Sequence, residues 1–247
     1  MNRPRIFPFA LVGFLLAVLA ALAAMLAGFG TRWELWHFRT GFVILTWAAY
    51  AAIAAALISI ASAIFTRPTA LRRGFLISIL GLVIGILVFG VPWCYWRTAH
   101  RVPAIHDITT DTENPPRFVS ILPLRKNAPN PSEYGGHEIA APQRAAYPDL
   151  APAMLSVPPD KAFGQALTVA RRMGWIIVDA NAAEGRIEAT DTTFWFGFKD
   201  DIVIRVAPAD HGSRVDIRSV SRVGKSDLGK NARRIRKYLK KLLTPIS

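Results

Sequence analysis

The residues best suited to chemistry gather late in the chain, in the run Ser219-Val220-Ser221-Arg222-Val223-Gly224-Lys225-Ser226-Asp227-Leu228-Gly229-Lys230-Asn231. Gly224-Lys225-Ser226 falls between an expected strand and an expected helix, as the end of a phosphate-cradling loop does. The P-loop pattern also needs a glycine at position 219, where this chain has Ser219, so nucleotide hydrolysis is unsupported. Ser226 is a plausible N-cap, and the unpaired N–H groups of a first helical turn favour negative charge. Asp227, Asn231, Arg234 and Tyr238 then recur at i, i+4, i+7 and i+11. They form a polar stripe one residue away from the apolar stripe of Leu228, Ala232, Ile235 and Leu239. Two readings stay open. In the structural one, Asp227 pairs with Arg222 or Arg234. In the functional one, Arg222, Lys225, Ser226, Asp227, Asn231 and Arg234 surround an anionic headgroup.

Other constellations are weaker. The histidines at 37, 100, 106, 137 and 211 show no HExxH or paired spacing, so neither a metal nor another cofactor is expected. His106, Asp107, Asp111 and Glu113 could meet a cation, although a polar loop anchored by turn hydrogen bonds is the simpler and preferred account. No serine sits in a nucleophile elbow, which leaves a hydrolase triad without support. The lone Cys94 excludes an internal disulfide framework and reads as a structural thiol. Phe194-Trp195-Phe196-Gly197-Phe198 reads either as core or as the hydrophobic wall of a ligand site. From Arg214 to Lys241 eleven Lys and Arg face only Asp216 and Asp227, a net charge of +9. That density suits nucleic acid, anionic lipid, or a solvated helix face.

The elements that must position these residues decide among the partners. The chain has 247 residues, 52% of them hydrophobic, and three uncharged stretches occupy its first hundred. Ile6 to Thr31 follows two arginines; a signal peptide competes here, but the apolar run is long for one. Gly41 to Thr66 and Gly74 to Trp96 follow. At about 1.5 Å per residue each crosses a hydrocarbon core roughly 30 Å thick. Gly81 and Gly85 form a GxxxG pair read as packing within the protein, with Gly90 on the same face. Arg3, Arg5, Arg67, Arg72 and Arg73 flank one membrane side, against Arg32, Arg39, Arg97 and Arg101 on the other. This weak excess favours a cytoplasmic amino terminus and an extracytoplasmic remainder. The bilayer is then one partner and nucleic acid is excluded.

Residues 98–153 carry so many prolines that an extended arm is expected, with one short strand at Phe118 to Leu122. Its apolar residues, such as Ile105, Ile108 and Leu150, require a surface to lie on. Residues 154–247 supply one. Helical spacing over Ala162 to Met173 precedes strands at Trp175 to Asp179 and Arg186 to Thr192. The alternations Ile202, Ile204, Val206 and Val215, Ile217, Ser219 mark two more, and a final helix follows Ser226. The expected fold is therefore a three-span anchor (residues 1–97) carrying an α+β domain, an antiparallel sheet with helices on one face.

Ile105-His106-Asp107-Ile108-Thr109-Thr110-Asp111, Pro115-Pro116-Arg117-Phe118, Tyr147-Pro148-Asp149 and the late run from Ser219 together resemble the domain-of-unknown-function family 1499. The resemblance covers roughly residues 103 to 243 and implies a bacterial envelope or organellar protein, without an activity to carry over. The order of elements is also similar to helix-grip modules of outer-membrane assembly lipoproteins, a fold analogy. The expectation is a multi-pass protein of the bacterial inner membrane with a periplasmic module. That module would bind an envelope protein or an anionic or hydrophobic ligand; an envelope hydrolase with an unrecognised site is the alternative.

Overall fold

The computed structural model describes residues 6–68 and 73–244, so Arg3, Arg5 and Arg72 of the topology argument lie outside the described residues. The chain divides into two compact units, residues 1–98 with 194–197, and residues 99–193 with 198–247.

The first unit contains α1 (Pro8–Arg32), α2 (Phe38–Phe65) and α3 (Phe75–Ala99), each long and apolar enough to span a membrane, with mean hydropathies of 2.7, 2.2 and 2.7. Pro8 opens α1 where a missing N–H costs nothing. Small residues let the helices touch. Ala10, Gly13, Ala17, Ala20, Ala24 and Ala27 make up the buried stripe of α1, and Ala48, Ala52, Ala55, Ser59 and Ser62 that of α2. A Cβ placed on Gly81 would come within 2.6 Å of Ser59 Oγ, and one on Gly85 within 2.8 Å of the Ala52 carbonyl. These two glycines therefore pack within the protein, whereas a Cβ on Gly90 would meet nothing.

The second unit is an antiparallel sheet with helices. Its elements are β1 (Asp107–Thr109), α4 (His137–Ala146), β2 (Ala153–Leu155), α5 (Pro159–Arg172), β3 (Ile176–Asn181), β4 (Arg186–Thr192), β5 (Lys199–Ala209), β6 (Gly212–Ser221) and α6 (Lys230–Leu243). The strands run in the order β1-β6-β5-β4-β3, and β2 pairs with β6 beyond β1. Period-two alternation gives the sheet two different faces. Ile202, Ile204 and Val206 with Val215 and Ile217 meet Phe163, Ala166 and Val169 of α5 and Ala232, Ile235 and Leu242 of α6. Tyr238 of α6 completes this core: its ring stacks on Trp175 at 5.3 Å and its hydroxyl donates to the Ala166 carbonyl at 3.0 Å. The opposite face carries Val203 and Val220, covered by Phe118 and Ile121.

Three expectations change. The proline-rich stretch is predicted by its residues to lack regular elements apart from a strand at Phe118 to Leu122. It instead forms β1, a 3-10 turn at Leu122–Arg125, α4 and β2. No strand forms at 118–122 because the N–H groups of Val119, Ser120 and Ile121 all point at one carboxylate, that of Glu188. In α4, a helix despite the internal Pro142, tertiary contacts override propensity: the buried Gln143 amide both accepts from Thr109 N (3.0 Å) and donates to Thr109 O (2.7 Å). This exchange closes the outer edge of β1 as another strand would. Finally, α6 begins at Lys230, not directly after Ser226, because Leu228 (φ 55°) and Gly229 (φ 71°) are left-handed and cannot belong to a right-handed helix.

Candidate functional site

At the start of α6 the anion is already present, and it is the chain's own. The Asp227 carboxylate accepts from Gly229 N and Asn231 N, both at 2.7 Å, filling the place expected for a headgroup and taking the capping role from Ser226. Burial pushes the Asp227 carboxyl up from its ordinary value, while those two N–H groups pull it back. Ser226 Oγ instead donates to the Pro103 carbonyl (3.4 Å) and accepts from Leu228 N (3.2 Å).

Behind this cap Asn231 and Arg234 come together. Asn231 Nδ2 donates to the His106 carbonyl and to Ser221 Oγ, and its Oδ1 accepts from Ser219 Oγ (2.8 Å) and from Arg234. Arg234 reaches Asp191 at 2.7 Å and Asp200 at 2.5 Å, so its charge is balanced within the domain. Lys230 stands 3.9 Å from Asp200, and burial lowers its ammonium from the usual lysine value.

Arg222 does not join them. It lies on the opposite sheet face, where its Nε and Nη2 grip the two oxygens of Asp201, each at 2.8 Å, and Nη1 donates to the Leu124 carbonyl. Lys225 is exposed in the turn before α6. The structural pairings expected for Asp227 thus form differently: neither Arg222 nor Arg234 meets it, and each arginine has carboxylates of its own.

The aromatic patch is divided. Residues 194–197 group with the apolar helices: Trp195 Nε1 donates to the Met25 carbonyl (3.3 Å), and a Cβ on Gly28 would fall 2.1 Å from its ring. Phe194 meets Phe29 edge-on at 5.5 Å, and Phe196 packs on Phe42 at 5.2 Å. Phe198 belongs to the second unit, where its N–H donates to Thr193 Oγ1 at 2.8 Å.

A further polar assembly, most of it not among the residues singled out by sequence, lies on the sheet face away from α5 and α6. Asp201, wholly buried, accepts from Arg125 (2.6 Å), Arg222 and Thr190 (2.7 Å). Arg218 forms a bidentate pair with Asp107 at 2.9 and 2.7 Å, and its guanidinium lies over the rings of Phe118 and Tyr134. Burial beside Asp107 pushes the Tyr134 phenol up to about 12. Arg205 and Arg214 share Asp111 and Asp216. Such pairs gain little net stability, but each protects its partner from being a bare buried charge. A signal existed in the period-two placement of Asp201 and Arg205, and of Arg214, Asp216 and Arg218, on one face. Acids and bases in near-equal number on one strand face suit mutual pairing beneath a cover, which the proline-rich segment provides.

Among the described residues no group of three or more His, Cys, Asp or Glu side chains is arranged to hold a metal ion. Cations without a carboxylate partner remain on α6. Arg233, Lys237, Lys240 and Lys241 are exposed at i, i+4, i+7 and i+8 and make no ion pair with the described residues, and α6 contains no acidic residue.

The family described as "Protein of unknown function (DUF1499)" matches residues 107–242, the whole sheet and most of α6. A comparison with curated proteins finds no match.

Proposed function

We propose that this chain, which belongs to the DUF1499 family of proteins of unknown function, is a membrane-anchored cell-envelope protein whose helix-grip-like α+β module works by binding anionic lipid headgroups through the exposed basic face of α6. The observation that carries this reading is the row of cations at Arg233, Lys237, Lys240 and Lys241 with no carboxylate on the same helix. Arg222 and Arg234 are occupied by Asp201, Asp191 and Asp200, so anion recognition moves from the polar stripe to the opposite side of the helix. Near an anionic surface each such cation contributes about 1 kcal/mol, and the attraction fades within a Debye length of about 8 Å at physiological salt.

The test uses the full chain in phosphatidylcholine nanodiscs, mixed with vesicles of phosphatidylcholine with or without phosphatidylglycerol. Vesicles containing phosphatidylglycerol should capture the protein, and added salt should release it. The triple variant K237Q/K240Q/K241Q should lose roughly a hundredfold in affinity, about 3 kcal/mol at about 1 kcal/mol per cation. Equal capture of the variant, or of wild type by pure phosphatidylcholine, ends this reading.

The membrane in question is the bacterial inner membrane, with the amino terminus cytoplasmic and the module periplasmic, on the argument of arginine placement around three apolar helices. Alkaline phosphatase fused after Ser247 should be active and fused at Leu71 inactive. The reverse pattern overturns the orientation.

A further inference from the structure

The covered face of the sheet holds a feature that the basic helix does not explain. Between residues 114–119 and strands β4 and β5 lies a cleft of about 260 Å³, lined by Pro115, Pro116, Arg117, Val119, Arg186, Val203 and Arg205 among others. Its three arginines differ in what they have left to give. Arg186 is fully engaged: Nε and Nη2 serve Glu184, and Nη1 serves Glu188, Asp179 and Ser120. Arg205 uses only Nη2, toward Asp111 (3.1 Å) and Asp216 (2.9 Å), and its Nε and Nη1 make no hydrogen bond with the described residues. Arg117 is exposed and makes neither a hydrogen bond nor an ion pair with them. Two guanidinium groups with free donors therefore line a recess whose wall also carries the apolar Pro115 and Val119 and the polar Asn114 and Glu184.

We propose that this cleft binds a compact organic monocarboxylate, its carboxylate held between Arg117 and Arg205 and its apolar body against the accessible Val119 and Pro115. Planar guanidinium forks match a carboxylate bidentately. The surrounding charges disfavour a ligand with two negative charges: Asp111 and Asp216 already oppose Arg205 and Arg214, Arg186 faces three carboxylates in Glu184, Glu188 and Asp179, and among the cleft's arginines only Arg117 has no carboxylate partner among the described residues. The volume falls below the range of roughly 300–1,000 Å³ that holds drug-sized ligands, which restricts the body to a single ring or short branched chain.

The probe is 4-fluorobenzoate, followed by fluorine NMR with the full chain in phosphatidylcholine nanodiscs and with empty nanodiscs as the blank. Saturable binding is expected with wild type and not with the neutral isostere 4-fluorobenzamide, and inorganic phosphate should not displace the probe. Arg117→Gln, which disturbs no internal pair, should weaken binding roughly ten- to a hundredfold, the range for one charge-assisted hydrogen bond. Arg205→Lys keeps the charge beside Asp111 and Asp216 but loses the fork, and should weaken binding as well. Arg233→Gln on the basic helix should leave it unchanged, separating this site from the lipid-binding face. Binding unaffected by Arg117→Gln, equal binding of the amide, displacement by phosphate, or an equal loss with Arg233→Gln each overturns the proposal.

Discussion

Replacing Glu188 by alanine should be among the most destabilising single changes in the domain. Its side chain is fully buried, and it accepts Val119 N (2.8 Å) and Ser120 N (3.1 Å) on Oε1 and Ile121 N (2.8 Å) on Oε2, with Arg186 beside it. The three successive N–H groups lead into the 3-10 turn at Leu122–Arg125, so the carboxylate acts as the bound anion of that turn. In Glu188→Ala the Ile121 N–H stays buried without an acceptor, at about 1–3 kcal/mol. The Val119 N–H, on a residue 51% exposed, can recruit water and loses less. Arg186 keeps Glu184 and Asp179, so its charge is not left bare. The expected loss is about 3–4 kcal/mol. Glu188→Gln keeps the shape but turns an amide NH2 toward one of the donors, for about half that cost. Urea unfolding of the full chain in nanodiscs measures the loss, and hydrogen exchange at Ile121 locates it. Unfolding within about 1 kcal/mol of wild type, or unchanged protection of Ile121, would refute the reasoning.

Further expectations follow from single contacts. Gly28→Val places side-chain atoms where the Trp195 ring now lies, so the Trp195 indole resonance should shift and stability fall by about 1–3 kcal/mol; an unchanged resonance would mean the ring is not there. Gly229→Ala must hold φ 71° with its Cβ 3.2 Å from Arg233 Nη1 and Tyr147 Oη, and should cost about 1–2 kcal/mol, read as a lower Tm; a neutral effect would contradict the left-handed cap. The Arg236 guanidinium hydrogen-bonded to Asp149 holds that carboxyl below its usual range, so the unfolded chain binds its proton more tightly and the pair's contribution is lost as pH falls through the depressed value. Both side chains are largely exposed, so Asp149→Asn should cost only about 0.2–1 kcal/mol at pH 7, with the gap closing below about pH 4. A deficit that grows on acidification would reverse the sign.

What the sequence by itself determined is what periodicity and local chemistry can carry. Three uncharged runs became three apolar helices with ends moved by a few residues, because hydrocarbon crossing needs only length and the absence of charge. The alternations at Ile202, Ile204, Val206 and at Val215, Ile217 became β5 and β6, since a strand with one buried face leaves its period in the residues. The stretch from Ile105 to Asp111 and the late run carried the family as well. What only the tertiary structure decided is which polar group meets which. Glu188 captures the backbone of 119–121 from some 70 residues away, Asp107 meets Arg218 across 111 positions, and Gln143 closes the edge of Thr109. No spacing rule links such partners, because their distance in sequence is set by loop lengths and their distance in space by the sheet register. For the same reason Arg222, in the late run, and Arg234, just beyond it, part to opposite faces of the sheet. Their carboxylates come from β4 and β5, and it was folding, not local pattern, that gave each arginine its own ion pairs.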